Sequence, residues 1–103
     1  MVFTLNGNST VKTFLTGVRA DQGASILTNT NTIKVVANTF NNAFYAVSGR
    51  ISIQIVGGTG NNAGLHANGG IIQFGTATIS ATTVTRKQNG GQIYTGSCKE
   101  AIE

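Results

Sequence analysis

The run Arg50-Ile-Ser-Ile-Gln-Ile-Val56 sets Ile51, Ile53 and Ile55 on one side of an extended chain and Ser52 and Gln54 on the other. That period of two belongs to a strand with one buried face, and this strand is expected at the centre of the core. Little else in the chain permits a helix. The longest helical window, Asn8 to Arg19, is built of Thr, Val and Phe and contains Gly17, residues that lose freedom in a helix or weaken it. Fifteen threonines, fourteen glycines and eleven asparagines, with no proline and no tryptophan, fit short strands joined by tight turns.

Further strands are expected at Val2–Leu5, Thr10–Leu15, Ala24–Leu27, Ile33–Ala37, Ala43–Val47 and Gln92–Thr95, with a long β run over Ile71–Thr85 that bends or bulges near Gly75. Asn6-Gly7 reads as a hairpin turn because both residues accept positive φ. The short polar side chains of Thr28 to Asn31 and Asn38 to Asn42 bond readily to their own backbone and favour turns, as do Ser48-Gly49 and Gln88-Asn-Gly-Gly91. No fixed repeat of 20 residues or more stands out, which argues against a solenoid. The expected fold is a single all-β domain over residues 1–103, a small antiparallel β-sandwich or barrel of seven or eight short strands with a Gly/Asn-rich loop at 57–70. Ser97–Glu103 is expected as a helical turn or a flexible tail.

Charge narrows the function classes. Seven Lys and Arg against three Asp and Glu give a net charge of +4, but only Arg86 and Lys87 adjoin, and nucleic-acid binders concentrate their cations in a stripe. Arg50, Arg86, Lys87 and Lys12 are the candidate contacts to an acidic partner, either packaged nucleic acid or a neighbouring subunit. Met1–Leu5 lacks the charged and apolar regions of a secretory signal, and no apolar run is long enough to span a membrane as a helix. Cys98 is the sole cysteine and His66 the sole histidine, too few for a disulfide framework or a four-ligand metal cage. No cofactor is expected.

Gly58, Gly60 and Ala63 match the G-x-G-x-x-A form of a dinucleotide fingerprint after a strand. That chemistry needs a helix next, whose free amides receive pyrophosphate, and Gly64-Leu-His-Ala-Asn-Gly-Gly70 is too rich in glycine to form one. The segment is expected instead as a flexible hairpin or rim loop, with Gly57, Gly58, Thr59, Gly60, Asn61, Asn62, His66 and Asn68 as candidate partner or ligand residues. His66 would then be solvated and titrate near its ordinary value. A Cys98-His66-Asp21 triad requires long-range proximity that the sequence does not supply, and three carboxylates leave paired-acid chemistry poorly provided. The chain reads as a non-enzyme.

Two roles follow. Low charge and threonine-rich strand edges without proline favour β-mediated self-assembly, so a structural homo-oligomer of the coat, tail or decoration type, virion-borne or extracellular, is the first expectation. A non-catalytic, lectin-like carbohydrate-binding module is the second. Amides and hydroxyls can satisfy sugar hydroxyls, and Phe3, Phe14, Phe40, Phe44, Phe74, Tyr45 and Tyr94 supply rings, most of them expected in the core. The row Thr76, Thr78, Ser80, Thr82 also permits an ice-binding face, although threonine suits any half-exposed strand.

Overall fold

The computed structural model describes residues 2–7, 16–27, 33–75, 78–95 and 99–100. They form β1 (Val2–Asn6), β2 (Thr16–Asp21), β3 (Ser25–Leu27), β4 (Lys34–Val47), β5 (Arg50–Ser52), β6 (Gln54–Asn68), β7 (Ile71–Phe74), β8 (Thr78–Gln88), β9 (Gln92–Thr95) and β10 (Lys99–Glu100). From β2 to β9, consecutive strands belong to different sheets. Sheet A runs β1-β4-β6-β8, with β2 also paired to β4, and sheet B runs β10-β9-β7-β5-β3. Every pairing is parallel except that of β10 with β9.

The chain is therefore a parallel β-solenoid. Each coil lays one strand in sheet A, or two in the first coil, turns a corner, lays one in sheet B and returns a rung higher. β1, β2 and β3 make the first coil, β4 and β5 the second, β6 and β7 the third, β8 and β9 the fourth. Parallel strands need a crossover connection, and here each sheet's crossover is a strand of the other. The all-β expectation holds, but the antiparallel sandwich or barrel does not. Asn6-Gly7 makes no hairpin: β1 pairs in parallel with β4, and Gly7 N–H donates to Asn38 O at 2.9 Å. The expected turn at Asn38–Asn42 is interior to β4, which bends there through register shifts and a positive φ of 59° at Thr39. Residues 99 and 100 are strand, not helix, while Thr10–Leu15 lies outside the described residues.

The corners explain why coils stack. Arg50 N–H donates to Ala24 O, Ile71 N–H to Gly49 O and Gln92 N–H to Gly70 O, each at 2.9 Å, one bond repeated from coil to coil. A Cβ on Gly49, Gly70 or Gly91 would lie 2.6, 2.6 or 2.1 Å from the carbonyl oxygen of Ala20, Ala46 or Ala67 respectively. Each corner thus sits against the backbone of the preceding coil, a closeness only glycine permits. Gly49, Gly70 and Gly91 are 21 residues apart. The repeat judged missing from the sequence is this one.

Registered stacking turns side chains into columns. Ile26, Ile51, Ile72 and Ile93 align in sheet B, and the last three have no exposed surface. In sheet A, Val18, Phe44, Leu65 and Thr85 form one column and Ala20, Ala46, Ala67 and Lys87 another. Ile51, Ile53 and Ile55 are all buried, as their alternation requires, although Ile51 belongs to sheet B and Ile55 to sheet A. Full burial of each such side chain contributes about 2 kcal/mol. The run expected over Ile71–Thr85 is broken at Gly75, where the chain leaves sheet B for sheet A.

Candidate functional site

The segment expected as an exposed loop is the centre of sheet A. Gly57, Gly58, Thr59, Gly60, Asn61, Asn62, His66 and Asn68 all lie in β6, the 15-residue strand paired on both sides by β4 and β8. Gly58 and Gly60 are buried and Gly57, Thr59, Asn62 and Asn68 partly so. The glycines clear space instead of conferring freedom. A Cβ at Gly64 would lie 2.1 Å from Ile79 Cγ2, and one at Gly58 3.2 Å from a ring carbon of Phe44.

His66 is 5% exposed. Parallel register places Arg19, Tyr45, His66 and Arg86 in a single row across β2, β4, β6 and β8. The Tyr45 and His66 rings stack with centroids 4.3 Å apart and planes 14° from parallel, while the Arg19 guanidinium lies 5.3 Å from the Tyr45 centroid in cation-π range. His66 Nε2 lies 2.7 Å from Gln88 Oε1, and Nδ1 3.3 Å from Asn42 Oδ1. Nε2–H therefore donates to Gln88, and a neutral ring leaves Nδ1 to accept from Asn42 with its amide turned, a choice made by hydrogen-bond logic. Burial lowers the His66 pKa below 6.5; the Gln88 bond opposes this and the Arg86 charge adds to it. Asn68 donates to the Tyr45 hydroxyl at 3.4 Å and Asn89 to Asn68 at 2.6 Å, which completes a polar network along this face.

That network holds structure together and assembles no nucleophile. Asp21 pairs with Arg19 at 3.0 Å, not with His66, and Cys98 lies outside the described residues. Among the described residues, no three His, Cys, Asp or Glu side chains gather to hold a metal ion, and no helix is long and apolar enough to cross a membrane. Nor do the three candidate cations converge. Arg50 stands on sheet B; Arg86 and Lys87 stand on β8, in the row of His66 and in the inward column of Ala67 respectively. Phe44 and Phe74 are buried, and Thr78, Ser80 and Thr82 form an exposed row on β8, while Thr76 and Phe14 lie outside the described residues.

Two features were not anticipated. The first is a shallow groove on the outer face of sheet B, about 400 Å³ in volume, lined by Arg50, Ile71, Gln73, Gln92 and Tyr94. Arg50, Ile71 and Gln92 share one outward column and Gln73 and Tyr94 the next, while the intervening Ile51, Ile72 and Ile93 point inward. Arg50 Nη2 donates to Gln73 Oε1 at 3.0 Å, and the Tyr94 hydroxyl donates to Gln92 Oε1. The 21-residue spacing of the glycines before Arg50, Ile71 and Gln92 was the signal that could have found it.

The second is the difference between the two ends of sheet A. Phe3 stands at the head of the column Phe3-Val35-Ile55 and Leu5 at the head of Leu5-Ala37-Gly58-Ile79. Val35 and Ile55 are buried, yet Val2, Phe3 and Leu5 are 55, 50 and 37% exposed. Among the described residues, no strand covers the core at this end. At the other, two inward columns close with Thr85 and Lys87 and the Leu5 column with the partly buried Ile79, and β10 covers the edge of sheet B. Comparison with protein families, with curated proteins and with solved structures finds no match.

Proposed function

We propose that this protein is a structural module that associates with a second copy of itself through the open β1 end. The observation that carries the reading is the exposure of Phe3 and Leu5 at the head of columns that are buried one coil further in. Solenoids keep polar outer faces on their terminal coils because the edge and the core both otherwise end in water. The β8 end carries Arg86 and Lys87 beside an exposed Val84; β1, Val-Phe-Thr-Leu-Asn, carries no charge at all. Among the described residues no strand pairs with its outer edge.

An uncharged apolar edge invites another strand. A second β1, related by a two-fold axis, would pair antiparallel and bury Phe3 and Leu5 of both copies in a closed isologous interface. Head-to-tail stacking is less favoured, because it would bring Arg86 and Lys87 of one copy to the β2 edge, where Arg19 already stands. Of the roles expected from composition, this supports the assembling kind, a coat, tail or decoration component, over a free-standing module. Light scattering on a sizing column tests it. The expected mass is about twice 10.6 kDa, insensitive to salt because the contact is apolar, and Leu5→Lys returns the chain to a folded monomer. A parent protein that stays at 10.6 kDa at every concentration, or an open filament that Leu5→Lys leaves intact, would overturn the reading.

A further inference from the structure

We infer that the groove on the outer face of sheet B binds an acidic saccharide, a short run of sugar rings carrying a carboxylate. The inference is independent of the β1 interface, which lies on sheet A.

The groove brings together what such a ligand needs and little that it does not. Tyr94 supplies a ring for the apolar face of a sugar, and Ile71 an apolar floor beside it. Gln73 and Gln92 supply amides of the kind that match hydroxyl groups. Arg50 supplies a planar fork suited to a carboxylate, and among the described lining residues none is acidic; β10 lays Glu100 beside Tyr94. The lining residues are held on strands, not on a mobile loop; the Arg50–Gln73 hydrogen bond ties β5 to β7, and the Tyr94–Gln92 bond lies within β9. Successive rungs of a parallel sheet lie about 4.8 Å apart, so a ligand lying along the solenoid axis meets β5, β7 and β9 in turn. With Arg50 and Tyr94 at diagonal corners, the carboxylate and the stacked ring belong to different parts of the ligand.

A phosphate polymer fits less well. Among the described residues a single cation lines the groove, whereas nucleic-acid sites line several along one path. Arg19, Arg86 and Lys87, which could extend such a path, are on sheet A.

The test is titration of the isotope-labelled protein with trisaccharides of galacturonic, glucuronic and mannuronic acid, read by backbone amide shifts. At least one should move the amides of Arg50, Ile71, Gln73, Gln92 and Tyr94. Its methyl ester, which keeps the hydroxyls and removes the charge, should bind about tenfold more weakly. Arg50→Gln should bind acid and ester alike, and Tyr94→Ala should lose both. Should Tyr94→Ala fail to fold, Tyr94→Leu keeps the bulk without the ring and decides the same point. No shift with any of the three at millimolar concentration would overturn the inference. So would shifts confined to sheet A, an equal response to inorganic phosphate or a short DNA strand, or full binding by the folded Tyr94 variant.

Discussion

The solenoid changes direction in two kinds of place, and it handles them differently. At the corner between sheets, every coil uses the same device: a glycine, or Ala24 in the first coil, whose carbonyl accepts from the next coil or whose neighbouring amide donates to the preceding one at 2.9 Å. The inner coils reach it through one positive-φ residue, Ser48 or Gly69, and the outer coils through two, Gln22-Gly23 or Asn89-Gly90, with Ala24 and Gly91 closing a turn back to Asp21 and Gln88. Within the long strands of sheet A, each coil bends in its own way. In β4 Thr39 takes a positive φ and its hydroxyl bonds to Gly7 O and Asn38 O; in β6 the bend falls at Gly60–Ala63 with a register shift. The corner is fixed by contact with the coil before it, so it cannot drift. The bend in β4 is held partly by its own Asn38 and partly by Gly7 of the first coil, and the bend in β6 is built differently.

That contrast can be broken at Gly70. An alanine there would place its Cβ 2.6 Å from Ala46 O and 2.7 Å from Gly49 O, backbone atoms that cannot move without parting two coils. Gly70→Ala should destabilise by about 3 kcal/mol in urea unfolding. The neighbouring turn provides the control: Gly90 has φ of 82° but open space around a Cβ, so Gly90→Ala should lose only about 1 kcal/mol, the strain of a left-handed alanine. Equal effects would mean that conformation, not stacking, governs the corner.

The bend offers a smaller test. Thr39→Gly relieves a β-branched residue of a left-handed conformation and removes its hydroxyl bonds, two effects of similar size and opposite sign. Its net change in urea midpoint should correspond to less than about 1 kcal/mol. A loss as large as that of Gly70→Ala would show that the bend is as tightly determined as the corner.

The smallest expected effect sharpens the comparison on the outer row of sheet A, where His66 joins coils through side chains. Its folded pKa lies below its unfolded value of about 6.5. The unfolded chain therefore takes up a proton first as pH falls, so the contribution is fully present above 6.5 and is lost below it, down to the folded pKa. Unfolding midpoints should fall between pH 7 and 5 in the parent, and His66→Gln should flatten that fall. A parent midpoint that rises over this range would contradict the burial of the ring.

These comparisons also explain what could be read from residues alone. The alternation of Ile51, Ile53 and Ile55 is a local property of a strand, and it identified core residues whichever strand lay alongside. The turns at Ser48-Gly49 and Gln88–Gly91 were legible for the same reason. Pairing partners were not, because Asn-Gly and Gly-Gly accept positive φ equally well in a hairpin and in a corner that passes the chain to another sheet. Glycine in β6 was misread as flexibility because sequence cannot show the Phe44 and Ile79 side chains that fill its space. Mistaking the strand for a loop also placed His66 in solvent. The 21-residue spacing of Gly49, Gly70 and Gly91 was present throughout, obscured by a first coil whose register offsets to the second are longer, with Val2 facing Lys34 and Thr16 facing Asn42. The sheet B groove depends wholly on that spacing, since Arg50 and Tyr94 meet only when coils stack in register.

Parallel stacking in this register is the central claim, and couplings through hydrogen bonds measured by NMR test it most directly. The nitrogen of Ile71 should couple to the carbonyl carbon of Gly49, and that of Gln92 to Gly70, across the repeated 2.9 Å bonds. Couplings linking Arg50–Ser52 instead to the neighbouring Ala43–Val47, as an antiparallel meander requires, would contradict it.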